Sequence, residues 1–145
     1  QTWAHAQTQV QLFEQAHNLA HEYIAHYAEL SPRLQGILKS GKEITHAQYD
    51  AAQQHIAKCR LQLQAVFQDV DVLLTPSAQG EAPDSLDNTG DPVFCRIWTV
   101  LHTPAINVPA GQGATGMPVG LQVVGPVGSD ALTLAAAHAV YQHIT

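Results

Sequence analysis

Apolar residues near the start of the chain return at helical intervals. From Thr2 to Tyr27, the residues Trp3, Val10, Phe13, Ala16, Ala20, Ile24 and Tyr27 stand three, four or seven apart, with no Pro or Gly between them. That spacing places them on one helix face and predicts a single helix across the stretch. Ser31-Pro32 then reads as an N-cap followed by proline at the first helical position, where a missing N–H costs nothing. The short helix that follows is expected to stop at Gly41, a glycine of the kind that closes helices. A further start is written at Thr45, with Gln48 three residues on as its capping-box partner and Ile44 placed to staple onto Tyr49. Beyond it Tyr49, Ala52, Ile56, Cys59, Leu63 and Val66 step three and four apart, a narrow seam suited to packing on another helix. Two long helices with a short connection predict an antiparallel hairpin over residues 1–69.

The pattern changes at Asp69. Val70-Asp71-Val72-Leu73-Leu74 is a short run rich in β-branched residues that Thr75-Pro76 ends, and it reads as a buried strand. Residues 77–91 are rich in Gly, Pro, Asp, Ser and Asn and predict a long loop, a length that in a compact domain points to function or disorder. A helix is expected from about Asp91-Pro92, carrying Phe94, Ile97, Trp98 and Leu101. Residues 105–108 and 119–124 read as strands joined by a Gly-rich turn, and Ser129 or Asp130 caps a last helix. The whole predicts a mixed α/β architecture: a helical segment at 1–69, then three short strands and two helices over 70–145.

Composition narrows the function classes. Of 145 residues 46% are apolar and 12% charged, against about 25% charged in average domains, so the chain has the material to bury a core and is no disordered tail. No run approaches the roughly 18 apolar residues of a spanning helix, so no membrane insertion is expected. Net charge is −6, and the six cations are scattered; without a basic stripe nucleic-acid binding is disfavoured. Cys59 and Cys95 form no disulfide framework, which makes a reducing cytoplasm the default. The sequence opens Gln1-Thr2-Trp3 and both ends fall inside helical patterns, so it reads as a piece of a larger chain.

Several motifs invite chemistry and lack its context. Gly111-Gln112-Gly113-Ala114-Thr115-Gly116 matches G-x-G-x-x-G, but a strand follows where a pyrophosphate needs a helix N-terminus, so a hairpin turn is expected. Gly36 to Lys42 resembles a phosphate loop, yet Glu43 stands where a magnesium-binding Ser or Thr belongs. There are nine histidines, with His17 and His21 four apart on one predicted helix face. Two ligands do not make a site, and no metal is expected. None of the five serines lies in G-x-S-x-G or S-x-x-K, so no nucleophile with its base is assembled.

From Val70 onward the order of signals is specific. Asp71-Val72-Leu73-Leu74-Thr75-Pro76 leads through the polar loop to Thr89-Gly90-Asp91-Pro92-Val93-Phe94 and Trp98-Thr99. Pro104-Ala105-Ile106-Asn107-Val108-Pro109-Ala110-Gly111 follows, then Gly116-Met117-Pro118-Val119-Gly120-Leu121-Gln122-Val123-Val124-Gly125. This series resembles the C-terminal part of the amidase signature family, and the preceding helices resemble the segment before it. The resemblance implies a larger mixed-sheet α/β fold that hydrolyses carbon–nitrogen amide bonds without metal or organic cofactor. It also implies a catalytic serine and a second serine in a cis peptide, both in a Gly/Ser-rich signature, and a lysine as ultimate base, all in N-terminal and central parts of the family that this sequence lacks. No catalytic residue is therefore carried over. Two departures stand out: His102 where the family often has Gly, and Cys95 where a polar residue such as Asn is common.

The resemblance further implies that the stretch 87–98 approaches the catalytic centre and lines the substrate side. Asp91, Cys95 and Trp98 are the pocket candidates, giving a carboxylate at a helix N-terminus, a thiol one turn on and an aromatic wall. A cap role for Asp91 and a core role for Trp98 compete with that assignment. The expected partners are the remaining part of an amidase and its small amide substrate. Self-association is expected of strands with unpaired edges. A non-catalytic helical-hairpin binding module and a subunit of a tRNA-dependent amidotransferase are the alternatives.

Overall fold

A computed structural model of the chain describes residues 2–85, 87 and 89–144. Helices α1 (Trp3–Asn18), α2 (Ala20–Ala25), α3 (Pro32–Lys42) and α4 (His46–Val66) precede strand β1 (Leu73–Pro76). Helix α5 (Val93–Leu101), strands β2 (Ala105–Gln112) and β3 (Pro118–Val124) and helix α6 (Asp130–Ile144) complete the order, with a 3-10 turn at Tyr27–Glu29. The result is an α/β chain, in which residues 1–59 and 60–145 form two compact units.

In the first unit the caps at Ser31 and Thr45 lie where the sequence put them, and Thr2 is a further cap that sequence reasoning did not single out. Thr2 accepts from the His5 N–H, and Ser31 accepts from the Leu34 N–H with Pro32 opening the helix. The capping box at Thr45 is reciprocal: the Gln48 side chain accepts from the Thr45 N–H at 2.8 Å and the Thr45 hydroxyl from the Gln48 N–H at 3.2 Å. The single helix expected over 2–27 instead breaks at Leu19, which has φ −103° and ψ 26°. Just before the break the His17 ring takes the Phe13 carbonyl at 2.8 Å, a side-chain competitor for the backbone ladder. Burial ends there too. Val10, Phe13 and Ala16 are buried while Ile24 is 81% exposed, so the predicted stripe loses its partner after α1.

Gly41 does not close α3; it lies buried within its last turn. A Cβ at that position would overlap the Leu12 carbonyl and the Ala16 Cβ of α1. Its role is close helix approach, with Ala16 as the facing small residue, and α1 packs along α3 rather than in a plain two-helix hairpin. Helix α4 meets α1 through Tyr49, whose ring stacks on Phe13 at 4.3 Å and whose hydroxyl donates to Glu14 at 2.9 Å. Along the α4 seam Ala52 and Ile56 are buried, whereas Val66 is exposed.

In the second unit β3 lies between β1 and β2, antiparallel to both. Leu73 and Ala105 flank Val124, and Ile106 and Leu74 flank Val123. Helix α6 covers the sheet through Ala137, against Val108 and Val123. Strand β1 starts later than the run from Val70 suggested and is half-buried, with Leu74 54% exposed. It pairs on one side only, so its residues alternate, and Pro76 is accommodated because an edge strand can spare an N–H. Pro92 rather than Asp91 holds the N-cap position of α5, with no side-chain cap bond. At α6 the Ser129 hydroxyl donates to the Pro126 carbonyl while the Ser129 carbonyl accepts from the Thr133 N–H.

Candidate functional site

The long loop leaves the sheet at Ser77, just past β1. The Ser77 N–H donates to the Gly120 carbonyl at 3.1 Å, extending the β1–β3 ladder by one rung. Its hydroxyl meets the Asn107 side-chain oxygen on β2, and the Cys95 thiol donates to its carbonyl at 3.7 Å. Ser77, Asn107 and Cys95 thus converge where the loop, the sheet and α5 meet. Asn107 is a residue type depleted in strands, which was the available signal for it. Ser77 carried none beyond its place at a strand end.

Of the three sequence candidates, Cys95 is exposed and points its sulfur into this junction. Asp91 is exposed and sits one residue before the N-cap Pro92. Trp98 is buried at 9% exposure. Among the described residues its indole N–H has no hydrogen-bond partner, a condition that costs about 1–3 kcal/mol for a buried donor. The helix brings Cys95 and Trp98 to neighbouring turns but presents them differently, one to solvent and one to the interior.

A cleft of about 630 Å³ lies farther along the loop, lined by Glu81, Ala82, Pro83, Asp84, Thr115 and Met117. The Thr115 N–H donates to both Glu81 carboxylate oxygens, at 2.9 and 3.1 Å, and its hydroxyl donates to one of them. Sequence reasoning missed this pair because 34 residues separate its members. The glycine motif holding Thr115 is a hairpin turn, as expected: the Gly113 N–H donates to the Met117 carbonyl at 2.9 Å, and Gly111 and Gly116 take positive φ.

Helix α5 ends at His102, which has φ 61° and ψ 33°. That left-handed conformation is one glycine adopts without cost, and here a histidine adopts it. Arg60 supports the turn, donating to the Val100 carbonyl at 2.8 Å and to His102 Nε2 at 2.9 Å. His17 and His21 lie on separate helices, because α1 ends at Asn18. Among the described residues no group of three or more His, Cys, Asp or Glu is placed to hold a metal. Among the same residues no helix is long and apolar enough to cross a membrane.

A family model described as Amidase matches residues 6–134. A glutamyl-tRNA(Gln) amidotransferase subunit from Synechococcus sp. is 38% identical over 99 residues, 63% of this chain and 20% of that protein. The putative amidase AmiD of Mycobacterium bovis is 31% identical over 136 residues, 87% of this chain and 28% of that protein. Among solved structures, one described as the crystal structure of amidase superposes with a TM-score of 0.92 at 25% identity, covering 100% of this chain and 36% of the other. A 6-aminohexanoate cyclic dimer hydrolase complexed with substrate superposes at 0.78 and 17% identity, covering 99% and 35%. The chain therefore spans about a fifth to a third of the proteins it matches.

Proposed function

The chain belongs to the amidase family, and from that premise we propose that it is the C-terminal portion of an amidase-type hydrolase of carbon–nitrogen bonds. Its part in the reaction is structural and selective: β1–β3 extend a larger sheet, and the Asp91–Trp98 stretch forms one wall of the substrate pocket. Residues 1–69 serve as the helical segment and 70–145 as the segment bearing the wall. The Ser-Ser-Lys chemistry belongs to a part of the family that this sequence does not contain. The single observation that carries the reading is the superposition of all of this chain on about a third of an amidase.

The packing of α6 supports it. The helix turns small Thr133 and Ala137 inward, while Leu134 is 61% exposed and Leu132 and Tyr141 are exposed beside it. An amphipathic helix that covers only the sheet would place its large apolar residues inward; this one presents them to a further surface. The unpaired Trp98 N–H likewise calls for an acceptor. Free Cys59 and Cys95 favour a reducing cytoplasm. The family match runs across both units, which favours the hydrolase over a stand-alone helical module. A second reading, a subunit of a tRNA-dependent amidotransferase, is favoured by the 38% identity to such a subunit.

In an intact amidase carrying this segment, Asp91→Asn and Cys95→Ala are assayed against a panel of amides, including glutamine as the amide donor of the second reading. Pocket residues are expected to change kcat/KM ratios between substrates by about tenfold with the melting temperature nearly unchanged. Lower stability with the same substrate ranking would remove the wall assignment.

A further inference from the structure

We propose that Glu81 is a positioning residue for the substrate-side cleft: its carboxylate, seated on the Gly111–Gly116 turn, straps the start of the polar loop to the β2–β3 hairpin. That the cleft faces the substrate is a further step of this proposal and rests on the amidase reading above; the strap itself does not.

Three observations carry the assignment. The turn satisfies its own backbone with the Gly113 N–H on Met117 and the Gly116 N–H on Gly113, which leaves the Thr115 N–H to face outward as a donor. Glu81 takes that N–H on both oxygens and the Thr115 hydroxyl as well. Hydrogen bonds to an ionised acceptor are stronger and more directional than neutral ones. The third observation is steric. A Cβ at Gly113 would overlap the Glu81 side chain, so the middle glycine of the motif makes room for the carboxylate. The G-x-G-x-x-G pattern, which lacks the helix a nucleotide would need, here receives an anion from its own chain.

The strap is short and held at both ends. Ser77 is pinned by the Gly120 carbonyl and by the Cys95 thiol, and Glu81 by Thr115, so the residues between them have little freedom to leave the hairpin. Pro83 and Asp84, which line the same cleft, follow directly. Asp84 adds a second carboxylate to that cleft, and in a chain of net charge −6 the donors at Thr115 offset the clustering of negative charge.

Residue-resolved amide exchange on the 145-residue chain tests the strap, comparing wild type with Glu81→Ala, Glu81→Gln and Thr115→Ser. Exchange at the Thr115 amide is expected to rise about tenfold or more in Glu81→Ala and less in Glu81→Gln. Thr115→Ser retains protection, and Val123 and Val124 exchange as in wild type throughout. Unchanged protection of Thr115 in Glu81→Ala overturns the proposal, and so does a uniform rise that includes Val123 and Val124. In an intact amidase carrying the segment the Glu81→Ala variant is expected to raise KM several-fold with kcat held, while Thr115→Ser keeps the wild-type KM. Altered exchange with unaltered KM keeps the strap and removes the cleft from the substrate pocket.

Discussion

The two compact units solve the burial of apolar surface differently. In the first, α1 and α3 meet at small residues, Gly41 against Ala16, and among the described residues only Ile24 and Tyr27 remain as large exposed apolar side chains. In the second, Leu74, Val127, Leu132, Leu134, Tyr141 and Ile144 are all 43% exposed or more. Both β1 and β2 keep a free edge among the described residues. Helices satisfy their backbone within themselves, whereas strands need neighbours. A helical unit therefore comes nearer to satisfying itself than a sheet unit with open edges.

The largest expected effect sharpens that contrast from the helical side. Gly41→Leu drives a side chain into the Leu12 carbonyl and should cost about 3 kcal/mol, at the upper end for overpacking. Urea unfolding followed by helix signal measures it, and a loss below about 1 kcal/mol would show that α1 and α3 adjust without the close approach. On the sheet side, self-association is expected of the isolated chain because apolar faces and edges are left bare. Leu134→Lys should weaken it by about 2 kcal/mol, roughly thirtyfold in the association constant. Light scattering against concentration reads this, and a lysine in place of Ile24 should do much less. The smallest effect is Thr45→Ala, which removes one half of the capping box and should lower stability by about 1 kcal/mol. Thermal unfolding of Gly41→Leu and Thr45→Ala side by side separates a packing contact from a cap.

What was legible in the sequence followed the range of each interaction. Ser31 and Thr45 announced their helices because a cap and its N–H lie three residues apart. The glycine turn at 111–116 was readable for the same reason. Gly41 resembles a helix stop in sequence, but its reason lies across a helix interface at Leu12 and Ala16. The break at Leu19 was hidden because a stripe of apolar residues shows periodicity but not what covers it. Strand β1 begins later than its residue types suggest because Val70 and Val72 have strand character without a partner in register. At the candidate site, the family-like stretch pointed to Cys95 and Trp98, while Ser77, Asn107, Glu81 and Thr115 are joined by contacts 30 and 34 residues apart.

The turn after α5 carries one more consequence. Arg60 reaches both the Val100 carbonyl, at 2.8 Å, and His102 Nε2, at 2.9 Å, with a guanidinium that is a rigid planar fork. One cation thus grips the last turn of the helix and the side chain of the residue that leaves it, so the left-handed φ at His102 is braced from outside its own backbone where the helix hands the chain over to β2.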